Sequence, residues 1–160
     1  MKKLTVNTTF LVYDSIDELD NSTVELMLKA IEIRKHAYAP YSKFRVGAAI
    51  LLDNGQVVTG NNQESAAYPS GLCAERVAIF QAGSLYPNVK MLKIAISATS
   101  DIKPTKRPTP PCGACRQSIS EYEQKQGTPI EIYFMGEAGE IYKSDSLDNL
   151  LPLSFHKDFL

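Results

Sequence analysis

Only four residues, Gly136-Glu137-Ala138-Gly139, separate the strand-like runs "PIEIYFM" and "EIYKS". A parallel crossover needs roughly a dozen residues or more, so these two strands must lie antiparallel. A second short connection, Asp53-Asn54-Gly55, joins "VGAAILL" to "QVVTGN". Asn-Gly is a strong hairpin signal because both residues tolerate the positive φ of a tight turn. Between the two hairpins the pattern changes period. Cys73 through Ala82 reads as a helix burying Val77, Ile79 and Phe80, "MLKIAISA" as a strand apolar enough to be central, and Gly113 to Glu123 as a short helix.

Upstream, Ser22 with Glu25 three residues later makes a capping box. Val24, Met27, Leu28, Ile31 and Tyr38 then recur at helical spacing until Pro40 ends the run. Leu4, Val6, Thr8, Phe10 and Val12 alternate with more polar neighbours, as a short strand or arm would, before the acidic linker "DSIDELDNS". A turn of helix around Ser146 to Leu151 and the tail "LSFHKDFL" close the chain. The order predicts an α/β fold, a three-layer α/β/α sandwich on a mixed five-stranded sheet with its last two strands antiparallel. Residues 1–21 are expected to form an N-terminal arm or extension, and residues 22–160 the domain proper.

The 160 residues carry a net charge of −1, and 44% are apolar and 22% charged, so a single folded domain is expected. The neutral balance disfavours nucleic acid or an anionic membrane as partner. Lys103, Lys106 and Arg107, threaded through prolines, read as a solvated loop. No stretch approaches the roughly 20 apolar residues of a membrane span, and polar residues interrupt "MKKLTVNTTFLVY" where a signal-peptide core would lie. An odd number of cysteines without an export signal points to a reducing cytoplasm, where thiols serve as ligands or nucleophiles.

Those three cysteines carry the chemistry. In "PPCGACRQ", Cys112 and Cys115 lie i, i+3 on one face of a first helical turn. Alone, such a pair fits a redox dithiol, half a structural zinc site or part of a catalytic one. Cys73, in "SGLCAERVAIF", opens the other helix. A helix N-terminus favours thiolate, so both clusters suit an anionic metal ligand if the two helix starts converge at the sheet edge. Three thiolates leave zinc one ligand short of a closed structural site, the arrangement that keeps a position for water. Neither His36 nor His156 sits at zinc-finger spacing, and both read as surface or interface residues. Glu75, two residues after Cys73, can reach beside the metal as a proton carrier, next to a water whose pKa zinc lowers to about 7. Singly, Cys73 would read as a packing cysteine, Glu75 as a first-turn glutamate and Arg76 as a surface arginine. Together, Cys-Ala-Glu and Pro-Cys-Gly-Ala-Cys at two helix starts make coincidence improbable.

The combination "CAE…PCGAC" fits the three-cysteine form of the zinc deaminase signature. With "APYSKFRVGAAI", "TGNNQESAAYPSGLCAERVAIF" and "LLPLSF" it resembles cytidine deaminases, specifically the small homotetrameric three-cysteine type, from about residue 24 to 156. The resemblance implies that Cys73, Cys112 and Cys115 hold Zn²⁺, which activates water against C4 of a cytosine ring while Glu75 shuttles protons. It implies ribose contacts from Phe44, Asn62 and Glu64, a backbone N–H of Ala74 on the pyrimidine carbonyl, and Tyr68 and Phe155 completing the site across subunits of a homotetramer. Arg76 would draw charge from the thiolates and restore acidity to the bound water. The implied reaction is deamination of cytidine and deoxycytidine in pyrimidine salvage. Ser65, where the family often has asparagine, and "PSG" plus Leu72 before Cys73 depart from the pattern and bear on sugar selectivity.

The nearest rival is a deaminase of another small molecule, such as a blasticidin S-type nucleoside or a purine base. Deaminases acting on nucleic acid usually have a parallel last strand, which the short final hairpin disfavours. A non-catalytic zinc module would need Glu75 or a histidine to close the site. A redox dithiol would place Cys-x-x-Cys directly after a central strand, whereas here a long proline-rich loop intervenes.

Overall fold

The computed structural model describes residues 1–160. Its strands are β1 (Leu11–Tyr13), β2 (Phe44–Leu52), β3 (Val57–Asn61), β4 (Met91–Ser100), β5 (Glu131–Met135) and β6 (Ile141–Ser144), and its helices α1 (Asn21–Arg34), α2 (Ala74–Leu85) and α3 (Gly113–Gln126). They form one mixed sheet in the order β1-β6-β5-β4-β2-β3. Both short connections make antiparallel pairs, Leu51 opposite Val57 and Met135 opposite Ile141. β4 and β5 are parallel, and β2 is antiparallel to both β3 and β4. Strands β3, β4 and β5 therefore share one direction, and the cysteine-bearing helices follow β3 and β4 at that end.

The sheet has six strands where five were expected. The extra strand comes from the arm, whose alternation yields only Leu11–Tyr13, with Val12 opposite Tyr142 of β6. Phe10 adds an edge-on contact to Phe134 at 6.5 Å, and Leu19 is buried.

Successive residues of β2 point to opposite faces and divide the core. Ala48, Ile50 and Leu52 pack with Ala74, Ala78 and Ile79 of α2 and Ile119 of α3. Ala49 packs with Leu26, Met27 and Ala30 of α1 on the other face. Two glycines let the helices approach the strands. A Cβ on Gly47 would lie 2.1 Å from Ala30 O, and one on Gly60 would lie 2.5 Å from Ala78 N and 2.6 Å from Ala74 O.

Each helix departs from its sequence expectation. Helix α1 is capped by Asp20 and not by Ser22, because the carboxylate accepts from Thr23 N (3.0 Å), Thr23 Oγ1 (2.6 Å) and Ser22 Oγ (2.6 Å) together. That helix ends at Arg34, short of Tyr38 and Pro40, and buries Thr23, Leu26, Met27 and Ala30 while Leu28 is 51% exposed. In α2 the inward residues are Ala74, Glu75, Ala78, Ile79 and Ala82, and Phe80 is exposed. Close packing on the sheet selects the small residues, which a search for large apolar side chains overlooks. Helix α3 continues past Glu123 to Gln126, where Gly127 at φ 67° ends it in the left-handed region.

Candidate active site

After β3 the chain closes a small loop whose neck is a reciprocal backbone pair, Gln63 N to Leu72 O and Leu72 N to Gln63 O, each 2.9 Å. Cys73 follows the neck directly and caps α2, just as Cys112 caps α3 after the proline-rich loop. Neither cap makes a side-chain hydrogen bond to its helix, which leaves both thiols for other work and the first-turn N–H groups, Ala74's among them, as free donors.

The two helix starts converge. All three Sγ atoms lie within 4.8 Å of one another, with Cys73 3.8 Å from Cys112 and Cys112 3.5 Å from Cys115. Zinc–sulfur bonds of about 2.3 Å in a tetrahedron put sulfurs about 3.8 Å apart, so the donor set fits a zinc-sized ion. All three cysteines are free thiols. No fourth His, Asp or Glu ligand joins the cluster, and His156 packs against Phe159 instead. Among the bare thiols, the surroundings of Cys73 favour the thiolate and those of Cys115 the neutral form. Contact of Cys73 with Cys115, then Cys112, and the Arg76 guanidinium hold its pKa at about 5, while the same contact and burial push Cys115 far up.

Glu75, in the first turn of α2, is 5% exposed. Burial, with the Cys73 charge adding to it, raises its pKa to about 7. A carboxyl poised there exchanges protons near neutrality, as a general acid–base requires. The positive charge of Arg76 favours the Cys73 thiolate, yet its buried Nε has no acceptor.

Beside this cluster lies a cavity of about 250 Å³, lined in part by Asn62, Glu64, Tyr68, Cys73 and Arg76. Asn62 anchors the start of β2, accepting from Val46 N (2.7 Å) and donating to Phe44 O (2.9 Å). Glu64 accepts from Tyr41 N (2.9 Å), Ser42 N (3.2 Å) and Ser42 Oγ. It thereby fixes the turn that ends at Lys43, whose φ of 55° is strained for a lysine. Each side chain retains hydrogen-bonding capacity toward the cavity. Phe44 sits one hydrogen bond away from the cavity wall, which neither it nor Phe155 lines. Tyr68 and Phe155 are 84% and 59% exposed. Tyr41, Gln63 and Leu72 also line the cavity; no spacing rule singles them out, because tertiary pairings bring them there, the neck for Gln63 and Leu72 and the Glu64 carboxylate for Tyr41.

Fold and site together define a class: a mixed α/β protein with three converging cysteines that could hold a metal ion and a buried carboxyl at a helix start. Comparison with known proteins narrows it. The family model for the "Cytidine and deoxycytidylate deaminase zinc-binding region" matches residues 20–128. A cytidine deaminase of Halalkalibacterium halodurans is 48% identical over 81% of this chain and 91% of its own length. A probable cytidine deaminase of Dictyostelium discoideum is 44% identical over 79% of each. The crystal structure of a cytidine deaminase from Burkholderia pseudomallei superposes with a TM-score of 0.72 at 33% identity, covering 86% of this chain and 100% of that one. The chain belongs to the cytidine and deoxycytidylate deaminase family.

Proposed function

We propose that this chain is a zinc-dependent hydrolase that converts cytidine and deoxycytidine to uridine and deoxyuridine with release of ammonia. The observation that carries the proposal is the convergence of Cys73, Cys112 and Cys115 within 4.8 Å, one turn from buried Glu75. The 48% identity to a named cytidine deaminase supports the substrate.

Cys73, Cys112 and Cys115 would hold the zinc, which when bound supplies Lewis acidity and an acidified water. Glu75 accepts a proton from the attacking water, delivers it to ring N3, and then assists departure of the amine. Its burial at the start of α2, beside the cysteines, suits a proton carrier. The Ala74 N–H, uncapped at the start of α2, donates to the pyrimidine carbonyl. Glu64 and Asn62 hold the ribose, and a carboxylate there repels a 5′-phosphate, which favours a nucleoside over a nucleotide. Phe44 flanks them. Arg76 withdraws charge from the thiolates. Phe155, exposed and not among the residues that line its own chain's cavity, stacks on the base bound by a neighbouring subunit of a homotetramer, and Tyr68 builds the interface around that site.

The reading places the enzyme in cytoplasmic pyrimidine salvage; no helix is long and apolar enough to cross a membrane. Residues 22–160 constitute the deaminase domain and residues 1–21 an extension that adds an edge strand. Ultraviolet-monitored assays on cytidine, deoxycytidine, blasticidin S, guanine and a short oligonucleotide test the substrate. Conversion of the two pyrimidine nucleosides is expected. Turnover only of another member of the panel would refute the assignment.

A further inference from the structure

The helix that carries two of the cysteines also grips the end of the chain. Arg116, next to Cys115, donates from Nε to Pro111 O at 2.8 Å and from Nη1 to Leu150 O at 2.6 Å. Gln117 Nε2 donates to Phe155 O at 2.9 Å, and Ser120 Oγ to Ser154 Oγ at 3.4 Å. One face of α3 therefore holds the C-terminal segment at three successive points, and the first of them also holds the residue before Cys112.

We propose that Arg116 is a positioning residue that fastens the Cys112–Cys115 turn to residues 150–155, so that metal retention and the seating of the C-terminal tail are linked. The need is local. Cys115 is buried inside the first turn of α3, whereas Cys112 is exposed and stands at the end of an irregular loop from residue 101. Cys112 is thus the ligand that packing fixes least. Pro111 offers no N–H to tie that loop down, but its carbonyl accepts from Arg116. A guanidinium presents its donors in one rigid plane, so the two buried carbonyls are held in a fixed relation that a lysine ammonium cannot reproduce. A contact that stabilises the ligand turn and the tail together makes each stabilise the other, because coupling between sites is reciprocal. The inference rests on the three cysteines holding a metal, which the zinc content of the wild-type protein tests separately.

The experiment compares zinc-loaded full-length wild type with Arg116→Ala, Arg116→Lys and Gln117→Ala. Two rates are read, zinc transfer to an excess of chromogenic chelator and proteolytic cleavage within residues 150–160, with circular dichroism melts as a check on folding. Arg116→Ala is expected to release zinc about 10-fold faster and to expose the tail to cleavage, with Arg116→Lys close to it. Gln117→Ala, which frees only the bond to Phe155 O, should speed tail cleavage and, through the linkage, speed zinc release by less than Arg116→Ala does. Zinc loading of the wild type should slow cleavage of the tail. A folded Arg116→Ala or Arg116→Lys protein that releases zinc at the wild-type rate would overturn the proposal, as would a wild-type tail whose cleavage ignores zinc.

Discussion

Gly60 lies on β3 directly beneath the first turns of α2, the helix that Cys73 caps and that carries Glu75. In Gly60→Ala the new Cβ would sit 2.5 Å from Ala78 N and 2.6 Å from Ala74 O. Both are backbone atoms of a regular helix, so neither can rotate away. Restoring an ordinary contact of 3.4 Å requires the helix to move by about 0.9 Å, the difference between 3.4 and 2.5 Å. Overpacking of this kind costs about 1–3 kcal/mol, equivalent to a melting temperature lower by roughly 2–12 °C in a chain of this size. The larger consequence is catalytic. The displaced segment holds Cys73, the Ala74 N–H and Glu75, and a misplacement near 1 Å can cost about 100-fold in rate. Gly83→Ala is the control on the same helix. Its Cβ meets the Tyr122 ring, with Oη at 2.3, Cε1 at 2.7 and Cζ at 2.9 Å, so it overpacks α2 against a side chain near the end of the helix away from Cys73 and should lower stability while leaving turnover close to wild type. Cytidine turnover at saturating and limiting substrate, with melts of both variants, decides the matter. Wild-type kcat/KM in a folded Gly60→Ala protein would refute the claim that this contact sets the site.

Asp20→Ala should destabilise by about 1 kcal/mol at pH 7 through loss of the α1 cap. Hydrogen bonds from Ser22 and Thr23 hold the Asp20 carboxyl well below the usual carboxylate range, so its contribution is complete above the unfolded pKa of about 3.9 and fades as pH falls below it. Urea melts at pH 7 and pH 3 should therefore show the variant's deficit shrinking in acid. In zinc-free protein the sign reverses for Glu75. A folded pKa near 7 favours the neutral acid, so stability falls as pH rises from about 4.3 toward 7, by at most roughly 1.4 kcal/mol per pH unit. Glu75→Gln should flatten that slope in chelator-treated melts. Arg76→Ala should lose zinc more readily or shift the pH–rate profile; unchanged zinc content and an unchanged profile would contradict its role beside the thiolates.

Much of the architecture was legible because short connections leave few choices. Gly136 to Gly139 dictated an antiparallel pair, and Asn54-Gly55 a hairpin, from chain geometry alone. Cys73, Cys112 and Cys115 were legible as one site because each cluster opens a helix, and helix starts after successive strands meet at one sheet edge. The burial of Phe80 and Leu28 was misread because hydrophobic size was the criterion, whereas α1 and α2 touch the sheet through Ala30, Ala74 and Ala78 over glycines. The cap at Asp20 went unrecognised because a capping box two residues later also satisfied the pattern. Tyr41, Leu72 and the grip of Arg116 on Leu150 depend on residues brought together only by the folded chain, and no local pattern encodes them.

In the proposed function a zinc held by three cysteines works with Glu75 as a proton carrier rather than a ligand. Zinc stoichiometry and cytidine conversion, measured on the same samples of wild type and Glu75→Gln, test it most directly. Both proteins should carry one zinc per chain, with cytidine converted by the wild type and turnover abolished in the variant. Loss of zinc from Glu75→Gln, or a folded, fully zinc-loaded wild type that leaves cytidine unchanged, would contradict the proposed function.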